Sequence, residues 1–398
     1  TGSDINYQGT YVAYLFAHND GDGVFGPDGD QDIISCGSYE GNGNANGTAV
    51  DLGWEPQWLL IKEVDASSPW SVFDTMRGIV HTRADRALRP NNAQDAEYDE
   101  IVLNLSATGF SLNTTSGEFN TNNSTYLYVA IRSPMITTPT AGTEVFDISS
   151  GTDTNPTPFV SDMFIRATIT NAGDKEIMSR MLGDYRLDTN KTGAEAAIGY
   201  NAWMSNTSAG GSGWGSGYVF WNWKRAKGFF DVTPYTGDGQ SGRTVTHSLG
   251  VVPRMIWIKR RSAVEIWYHW GLNEDGTNAY LQMGLEKENG ANSNITYSAA
   301  LNLATTTTFK PRQVPGGSNN TNLSGVHYVA YLFATLAGVS KVGAVTHSGS
   351  STDVDCGFAA GARFVLLKRY DDNGNWYIWD SVRGIIAGIT KQQPSSCY

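Results

Sequence analysis

Short apolar runs, separated by stretches rich in Gly, Asn and Ser, recur along the whole chain. One run occurs four times, as TYVAYLFA, TYLYVAIR, GYVFWNWK and HYVAYLFA, at residues 10–17, 125–132, 217–224 and 327–334. Apolar runs of this length that are bounded by turn-forming residues are typical of buried β-strands. The pattern therefore predicts a strand at each of these places, and we call them the Tyr-Val-Ala strands.

A second element occurs three times and ends in Lys, with a Trp eight residues further on. Its copies are LGWEPQWLLIK, LGVVPRMIWIK and FAAGARFVLLK, at 52–62, 249–259 and 358–368, and the tryptophans are Trp70, Trp267 and Trp376. The Trp opens a further run that partly alternates, as in WSVFDT and WYIWDS. The spacing predicts a hairpin, which we call the Lys…Trp hairpin. Its tryptophans, together with Trp58, are expected in the core.

The elements keep one order, which predicts tandem units. A Gly-rich turn (SYEGNG at 38–43, PYTGDG at 234–239, VTHSGS at 345–350) precedes each Lys…Trp hairpin, and a Tyr-Val-Ala strand closes the unit. Repeats of mostly short strands at this length favour two-sheet antiparallel sandwiches, so the expected fold class is all-β. The predicted divisions are a closing strand of a truncated preceding unit at 1–17, unit 1 at 18–136, a shorter, divergent unit 2 at 137–226, unit 3 at 227–336 and an incomplete unit 4 at 337–398.

Composition agrees with this pattern. The chain has 398 residues, with 45 Gly, 12 Trp, 19 Tyr and only 17% charged residues, which suits sheets joined by polar loops. The net charge of −11 disfavours binding to nucleic acid, since the densest basic cluster, Lys259–Arg261, is short. No apolar run is long enough to predict insertion into a membrane. Because Thr1 opens the chain shortly before a strand-like run, a processed chain or a fragment of a longer protein is expected.

The amino-acid sequences of these elements resemble those of a known family. YVAYLFA, WSVFDTMRG and VTHSLGVVPRMIWIK are similar to the repeated concanavalin-like domains of virion structural and tail-fibre proteins in tailed phages, especially phages of marine bacteria and cyanobacteria. The resemblance implies a concanavalin-like jelly-roll sandwich, location in the virion, and other virion proteins and copies of the chain itself as partners. It brings no catalytic residues, so an enzyme is not expected and no cofactor is required.

An aspartate-rich loop, HNDGDGVFGPDGDQD, follows the first Tyr-Val-Ala run. Five carboxylates, at Asp20, Asp22, Asp28, Asp30 and Asp32, can supply the oxygen ligands that Ca²⁺ prefers. The spacing does not match an EF-hand from either Asp20 or Asp28. The equivalent joints further along the chain have no such cluster, which favours a solvated linker over a calcium site.

Two further functions are weighed on aromatic and acidic residues. Trp203 and Trp214 lie in the polar stretch NAWMSNTSAGGSGWGSG, where exposed rings can stack on sugars, so a lectin-like adhesin for host surface polysaccharide is the alternative function. A glycan hydrolase needs alternating carboxylates on a strand. The nearest run, EYDEIV at 97–102, has Val102 where the last Glu is needed, which favours a charged strand edge.

Overall fold

The computed structural model describes most of the chain, and what it describes is almost entirely β. The described residues are 9–18, 32–92, 97–133, 138–150, 155–169, 173–199, 202–203, 205, 208–209, 217–272, 279–283, 295–297, 304–311, 321–347, 349, 351–368, 376–385 and 395–397. Their sheets are antiparallel, and their helical elements are α1 (Gly117–Asn120) and two 3₁₀ turns, Gly142–Glu144 and Arg180–Leu182. The predicted all-β fold class is confirmed. None of these helices is long and apolar enough to cross a membrane.

Unit 1 forms two sheets that face each other. Its strands are β1 (Ile34–Glu40), β2 (Ala49–Asp51), β3 (Pro56–Glu63), β4 (Ser71–Asp74), β5 (Asp85–Leu88), β6 (Tyr98–Glu100), β7 (Leu103–Ser106), β8 (Gly109–Leu112) and β9 (Thr125–Arg132). The larger sheet has the order β1-β9-β3-β4-β5-β6 and the smaller the order β2-β8-β7. The Phe110 ring of the smaller sheet lies edge-on to Tyr39 and Tyr128 of the larger, with centroids 6.3 and 5.7 Å apart. These aromatic contacts form the core between the layers.

Unit 2 has a single sheet among its described residues. Its strands are β10 (Phe146–Ser150), β11 (Met163–Thr168), β12 (Lys175–Ser179), β13 (Tyr185–Asp188), β14 (Ala196–Ala197) and β15 (Tyr218–Trp223). They are ordered β10-β15-β11-β12-β13-β14. The β11–β12 hairpin stands where the Lys…Trp hairpin stands in unit 1, although the sequence of unit 2 has lost the Lys…Trp wording.

Unit 3 repeats the arrangement of unit 1. Its strands are β16 (Phe230–Thr236), β17 (Val245–Thr246), β18 (Met255–Arg260), β19 (Trp267–Leu272), β20 (Ala279–Met283), β21 (Ile295–Tyr297), β22 (Thr308–Phe309) and β23 (His327–Phe333). The larger sheet is ordered β16-β23-β18-β19-β20-β21, and β17 pairs with β22. Tyr235 lies edge-on to Phe309 at 5.8 Å, as Tyr39 does to Phe110 in unit 1. Unit 4 contributes β24 (Phe364–Lys368), β25 (Trp376–Asp380) and β26 (Ser395–Cys397), in that order.

The predicted Lys…Trp hairpins are confirmed. The pairs β3–β4, β18–β19 and β24–β25 are antiparallel, with Lys259 opposite Trp267 and Lys368 opposite Trp376. In units 1 and 4 the second strand ends in an Asp-x-x-Arg turn. Each turn contains an ion pair between its Asp and its Arg, Asp74–Arg77 in unit 1 and Asp380–Arg383 in unit 4, each at 2.6 Å.

The tryptophan prediction is confirmed in part. Trp267 and Trp376 are buried, whereas Trp58 is half-buried. The prediction is wrong for Trp70, whose side chain is 40% exposed. The reason is local: β4 begins at Ser71, so Trp70 lies just outside the sheet and its backbone N–H donates to the Asn91 side chain instead.

The Tyr-Val-Ala prediction is confirmed at three places and wrong at the fourth. Strands β9, β15 and β23 each lie second from one edge of a six-stranded sheet, next to the hairpin strand β3, β11 or β18. Residues 9–18 form no strand, and most of their apolar side chains are exposed, although 10–17 was expected to be a closing strand. A strand is stabilised by hydrogen bonds to a neighbour, and no described sheet includes this segment.

One buried apolar cluster runs through all four units. Its members include Phe73 from unit 1, Trp221 from unit 2, Trp257 from unit 3 and Trp376 from unit 4. Trp257 lies edge-on to Trp376 with ring centroids 5.9 Å apart. Because packed interiors transmit strain, a shared core of this kind holds neighbouring sheets in fixed positions.

Candidate functional site at the junction of units 1, 2 and 3

A half-buried arginine between units 2 and 3 makes hydrogen bonds to three units. The Arg225 guanidinium donates two bonds to the Glu55 carboxylate of unit 1, at 2.7 and 2.8 Å, and one to Asp231 of unit 3, at 2.6 Å. Its backbone N–H donates to the Asp162 carboxylate of unit 2, at 2.7 Å. Arg225 sits just after β15 and before β16, so the chain delivers it to the point where the units meet.

The charges around Arg225 depend on one another. Burial by itself lowers the pKa of the guanidinium, but the carboxylates of Asp231 and Glu55 outweigh it and hold the pKa well above its ordinary value. Burial raises the pKa of Asp162, although Arg225 and Arg180 oppose the shift. Bidentate arginine–carboxylate pairs are strong and geometrically specific. Removing one partner leaves a buried charge uncompensated, so the set is stable only when complete.

A second ion cluster also joins three units. Glu195 of unit 2 accepts hydrogen bonds from Arg83 of unit 1, at 2.6 Å, and from Arg261 of unit 3, at 2.8 Å. Arg261 also donates to the backbone oxygen of His81, at 2.8 Å. The side chains of Glu195 and Arg261 are buried. Together with the Arg225 contacts, this cluster, which we call the Glu195 cluster, gives the junction two independent polar anchors.

The basic run Lys259–Arg261 therefore contributes to the junction. Lys259 and Arg261 are completely buried, and the Lys259 ammonium donates to the Thr192 backbone oxygen of unit 2, at 3.1 Å. The sequence presents this run as the densest basic cluster, but the fold turns two of its three charges inward. They serve contacts between units 2 and 3.

A threonine lies between two histidines beside the Glu195 cluster. The Thr236 hydroxyl is 3.1 Å from His81 Nε2 and 3.1 Å from His327 Nδ1. A hydroxyl has one proton, so it donates to one ring and accepts from the other. Burial lowers the pKa of both rings, and the Arg261 charge adds to that effect. The His81–Thr236 hydrogen bond links units 1 and 3, and the lowered pKa values favour the neutral form of both rings.

A cleft of about 310 Å³ opens between units 1 and 2 next to these anchors. Its wall includes Arg83, Arg86, Tyr185 and Trp203. The Arg83 guanidinium lies 4.7 Å from the centre of the Tyr185 ring, and Arg86 Nη2 lies 3.2 Å from an Asp184 oxygen. Guanidinium groups beside an aromatic ring suit planar or anionic ligands. The carboxylates already paired with these arginines would compete with such a ligand.

Trp203 lies in the core, and the expectation that it is exposed is wrong. Its side chain is 2% exposed, its indole N–H donates to the Gly183 oxygen at 2.9 Å, and Arg180 lies over its ring. The ring packs on Phe164 and joins a cluster that also contains Phe220. In unit 3 the matching sheet face is covered by a second sheet. Among its described residues unit 2 has no second sheet, and Ala202, Trp203 and Ala209 pack against this face instead.

A carboxyl near the cleft is held entirely by backbone groups. Asp85 is fully buried and accepts hydrogen bonds from the N–H groups of Val80, Val102 and Leu103, at 2.8, 3.0 and 2.7 Å. Burial raises the pKa of Asp85 to about 8, against the opposing effect of these bonds. A raised carboxyl pKa is common at catalytic sites. Here all three described partners are backbone N–H groups, and the carboxyl does not reach the cleft surface. Asp85 therefore holds the backbone around it in place.

The predicted calcium residues fall mostly outside the described residues. Asp20, Asp22, Asp28 and Asp30 lie there, and so does Trp214, the second predicted sugar-binding residue. Asp32 is half-buried, and its backbone oxygen accepts a hydrogen bond from Arg132 at 3.2 Å. Within the described parts of the chain, no group of three or more His, Cys, Asp or Glu side chains is placed to hold a metal. The calcium site stays a prediction.

The acidic run at 97–102 lies at a sheet edge. It includes β6, the outermost strand of the larger unit 1 sheet. Glu97 lies 3.3 Å from Arg86, and Asp99 is largely exposed. The carboxylates therefore serve ion pairs on the rim of the cleft, as expected for a charged strand edge.

Sequence reasoning missed the residues that join the units. Glu55 lies within the repeated run LGWEPQWLLIK, but nothing in that run points to Arg225 or Glu195, and ion pairs between residues so far apart along the chain leave no local spacing signal. One hint was present: Arg225 lies in WKRAKGFF, where a charge sits between two aromatic-rich runs at a unit joint. Such a charge must be solvated or paired.

Comparison with known proteins gives one match. The model of a family described as a domain of unknown function (DUF7483) matches residues 1–134 and 168–396. The match covers more than half of the chain and leaves out 135–167, which include β10 and all of β11 except its last residue, Thr168. No curated protein and no solved structure matches the chain.

Proposed function

The chain belongs to the DUF7483 family. From its repeated elements and the resemblance of their sequences, we propose that this family member is a structural protein of a tailed-phage virion, in a tail fibre or related appendage. The observation that carries the proposal is the Arg225 side chain, which joins carboxylates of units 1 and 3 while its backbone binds unit 2. A protein that bears load has to keep its units in fixed positions. In this proposal the main role of the buried carboxylates around Arg225 is to specify the positions of the units, since a buried ion pair by itself adds little stability.

The repeated sequence elements also support this function. Units 1 and 3 repeat one arrangement in detail, down to the stacked pairs Tyr39–Tyr126 and Tyr235–Tyr328, at 5.0 and 5.2 Å. Repeated units that share a packed core and buried polar contacts suit a protein that has to hold its units in fixed positions. We assign each unit to the concanavalin-like jelly-roll type implied by its wording, with partners in other virion proteins and in further copies of the chain.

Labelling of purified particles tests the proposal. Antibody raised against the 398-residue chain, coupled to gold, is applied to purified virions of the phage that encodes it. We expect label at a discrete appendage, with none on particles of an unrelated phage. Finding the folded chain only in the particle-free fraction overturns the proposal.

The cleft between units 1 and 2 favours a second candidate function, a lectin-like adhesin for acidic host polysaccharide. Arg86 and Tyr185 at its wall offer a cation and an aromatic face. Binding of purified host polysaccharide to the chain, weakened by Arg86→Met and unchanged by Arg243→Met on unit 3, supports this function. Equal binding by both variants, or no binding by the parent chain, removes it.

A further inference from the structure

Strand β24 of unit 4 has an open edge within the described structure. It pairs with β25 on one side, and no described strand lies on the other. The equivalent hairpin strands β3, β11 and β18 each pair on that second side with a Tyr-Val-Ala strand. The difference shows in burial: Ile256–Lys259 of β18 are buried, whereas Phe364–Leu366 are half-buried and Leu367 is 48% exposed.

The chain also contains a second copy of the strand that fills this position, and this copy lies outside every described sheet. Residues 11–17 and 328–334 have the same sequence, YVAYLFA. In β23 its Val329, Ala330 and Tyr331 are fully buried, whereas Val12, Tyr14 and Leu15 of the first copy are 78%, 84% and 92% exposed. Exposed apolar side chains in a row mark an interaction surface. Because the first copy has the same sequence as β23, it fits the same kind of partner, the free edge of a Lys…Trp hairpin strand.

The repeats also fix the register of such a pairing. In unit 1 Ile61 stands opposite Tyr128, and in unit 3 Ile258 stands opposite Ala330. In both units the residue before the closing Lys stands opposite the residue two positions after the first Tyr of the Tyr-Val-Ala strand. The same rule applied to unit 4 places Leu367 opposite Ala13.

We propose that residues 12–16 of one chain add as an antiparallel strand to β24 of a second copy of the chain, with Ala13 opposite Leu367. Addition of a strand to an open edge takes its affinity from backbone hydrogen bonds and its specificity from alternate side chains. The contact joins different surfaces of the two copies, so it links chains head to tail, into a ring or an open filament.

The location of each element favours a second copy over the same chain. His18 Nδ1, next to the segment, accepts a hydrogen bond from the Cys36 N–H of β1 at 3.1 Å, which anchors the segment on unit 1. Phe364 of β24 instead packs on Phe146 and Trp223 of unit 2, with centroids 5.2 and 5.6 Å away. The inference does not depend on the virion function, since any protein with these two surfaces would associate in this way.

Disulfide trapping between two differently substituted chains tests the contact. In a background with Cys36, Cys356 and Cys397 changed to Ser, one chain carries Ala13→Cys and another carries Leu367→Cys. Opposed residues of antiparallel strands lie within disulfide range. Mixing the two chains under oxidising conditions should give a covalent dimer that reduction abolishes.

The control shifts the register by one residue. A Tyr14→Cys chain mixed with the Leu367→Cys chain should give at least tenfold less dimer, because neighbouring strand residues point to opposite faces. Equal yields from both mixtures, or no dimer from either, overturn the proposal. A chain that carries both Ala13→Cys and Leu367→Cys and cross-links to itself, while the mixture of single variants gives no dimer, also overturns the proposal.

Association of the chain without added cysteines gives an independent measurement. Sedimentation should show concentration-dependent association that Tyr14→Pro abolishes and Tyr14→Phe retains, because proline removes a backbone donor from the added strand. Residues 9–18 contribute nothing to the buried core, so Tyr14→Pro should fold like the parent chain. Association that is unchanged in Tyr14→Pro contradicts the proposal.

Discussion

Arg225 donates two hydrogen bonds to Glu55, at 2.7 and 2.8 Å, across 170 residues of chain. The pair brings the joint between units 2 and 3 against the loop that opens β3 in unit 1. Its third bond, to Asp231, ties in the start of unit 3. A repeat protein whose units met only through flexible linkers would have no such bond. The pair therefore marks the units as parts of one body.

Replacing Arg225 should be far more costly than replacing a surface arginine. Arg225→Met leaves the carboxylates of Glu55 and Asp231 buried without their counter-charge, and loss of one buried partner typically costs about 3–5 kcal/mol. Chemical denaturation measures the change in the free energy of unfolding. The matched control is Arg243→Met, whose partner Asp238 is exposed, and it should cost less than about 1 kcal/mol. Similar losses in the two variants would contradict the assigned role.

The buried carboxyl of Asp85 should make stability depend on pH in an unusual direction. Its folded pKa is about 8, above the ordinary value of 3.8, so the folded state holds a proton that the unfolded state releases. Stability from this group is therefore present at low pH and falls as pH rises between these two values. The slope reaches at most about 1.4 kcal/mol per pH unit.

The comparison with Asp85→Asn isolates this effect. Burial lowers the pKa of His81 and His327, which makes the folded state less stable on acidification, so the parent chain alone gives a mixed signal. The difference in free energy of unfolding between parent and Asp85→Asn should fall from pH 5 to pH 8. A difference that is constant with pH, or that rises, would contradict a folded-state pKa of about 8 for Asp85.

Two glycines at matching places in the Gly-rich turns should not tolerate a side chain. A Cβ on Gly41 would lie 2.2 Å from the Thr121 backbone oxygen, and one on Gly237 would lie 2.1 Å from the Leu323 oxygen. Alanine at either position should destabilise the chain by about 1–3 kcal/mol, the range for overpacking. Gly193→Ala, which meets nothing within 4 Å, is the control and should be close to neutral. Thermal unfolding of the three variants measures the contrast.

Trp203 should behave as a core residue. Trp203→Ala removes the packing on Phe164 and the hydrogen bond to Gly183, and large-to-small changes of this kind cost about 3–5 kcal/mol. Trp203→Phe keeps a ring in the cavity and should lose less. The free energy of unfolding of both variants decides the matter. A Trp203→Ala chain as stable as its parent would contradict the assignment of Trp203 to the core.

Local pattern predicted the elements well and their assembly poorly. The Lys…Trp hairpins and three of the four Tyr-Val-Ala strands follow from periodicity and turn residues within short stretches. The sequence does not reveal that Trp203 is buried. Trp203 packs on the face that a second sheet covers in unit 3, and the described residues of unit 2 form no second sheet. The partners of Arg225 and Glu195 lie in other units, so no spacing along the chain encodes them. Only the packing of the sheets brings them together.

The cooperativity of unfolding tests the central claim, that units 1, 2 and 3 form one interlocked body, most directly. Differential scanning calorimetry of the parent chain should show these units unfolding in a single transition, with a ratio of calorimetric to van't Hoff enthalpy of about 1. Arg225→Met should split or broaden that transition, while Arg243→Met should leave it intact. Separate transitions for units 1, 2 and 3 in the parent chain would contradict the claim.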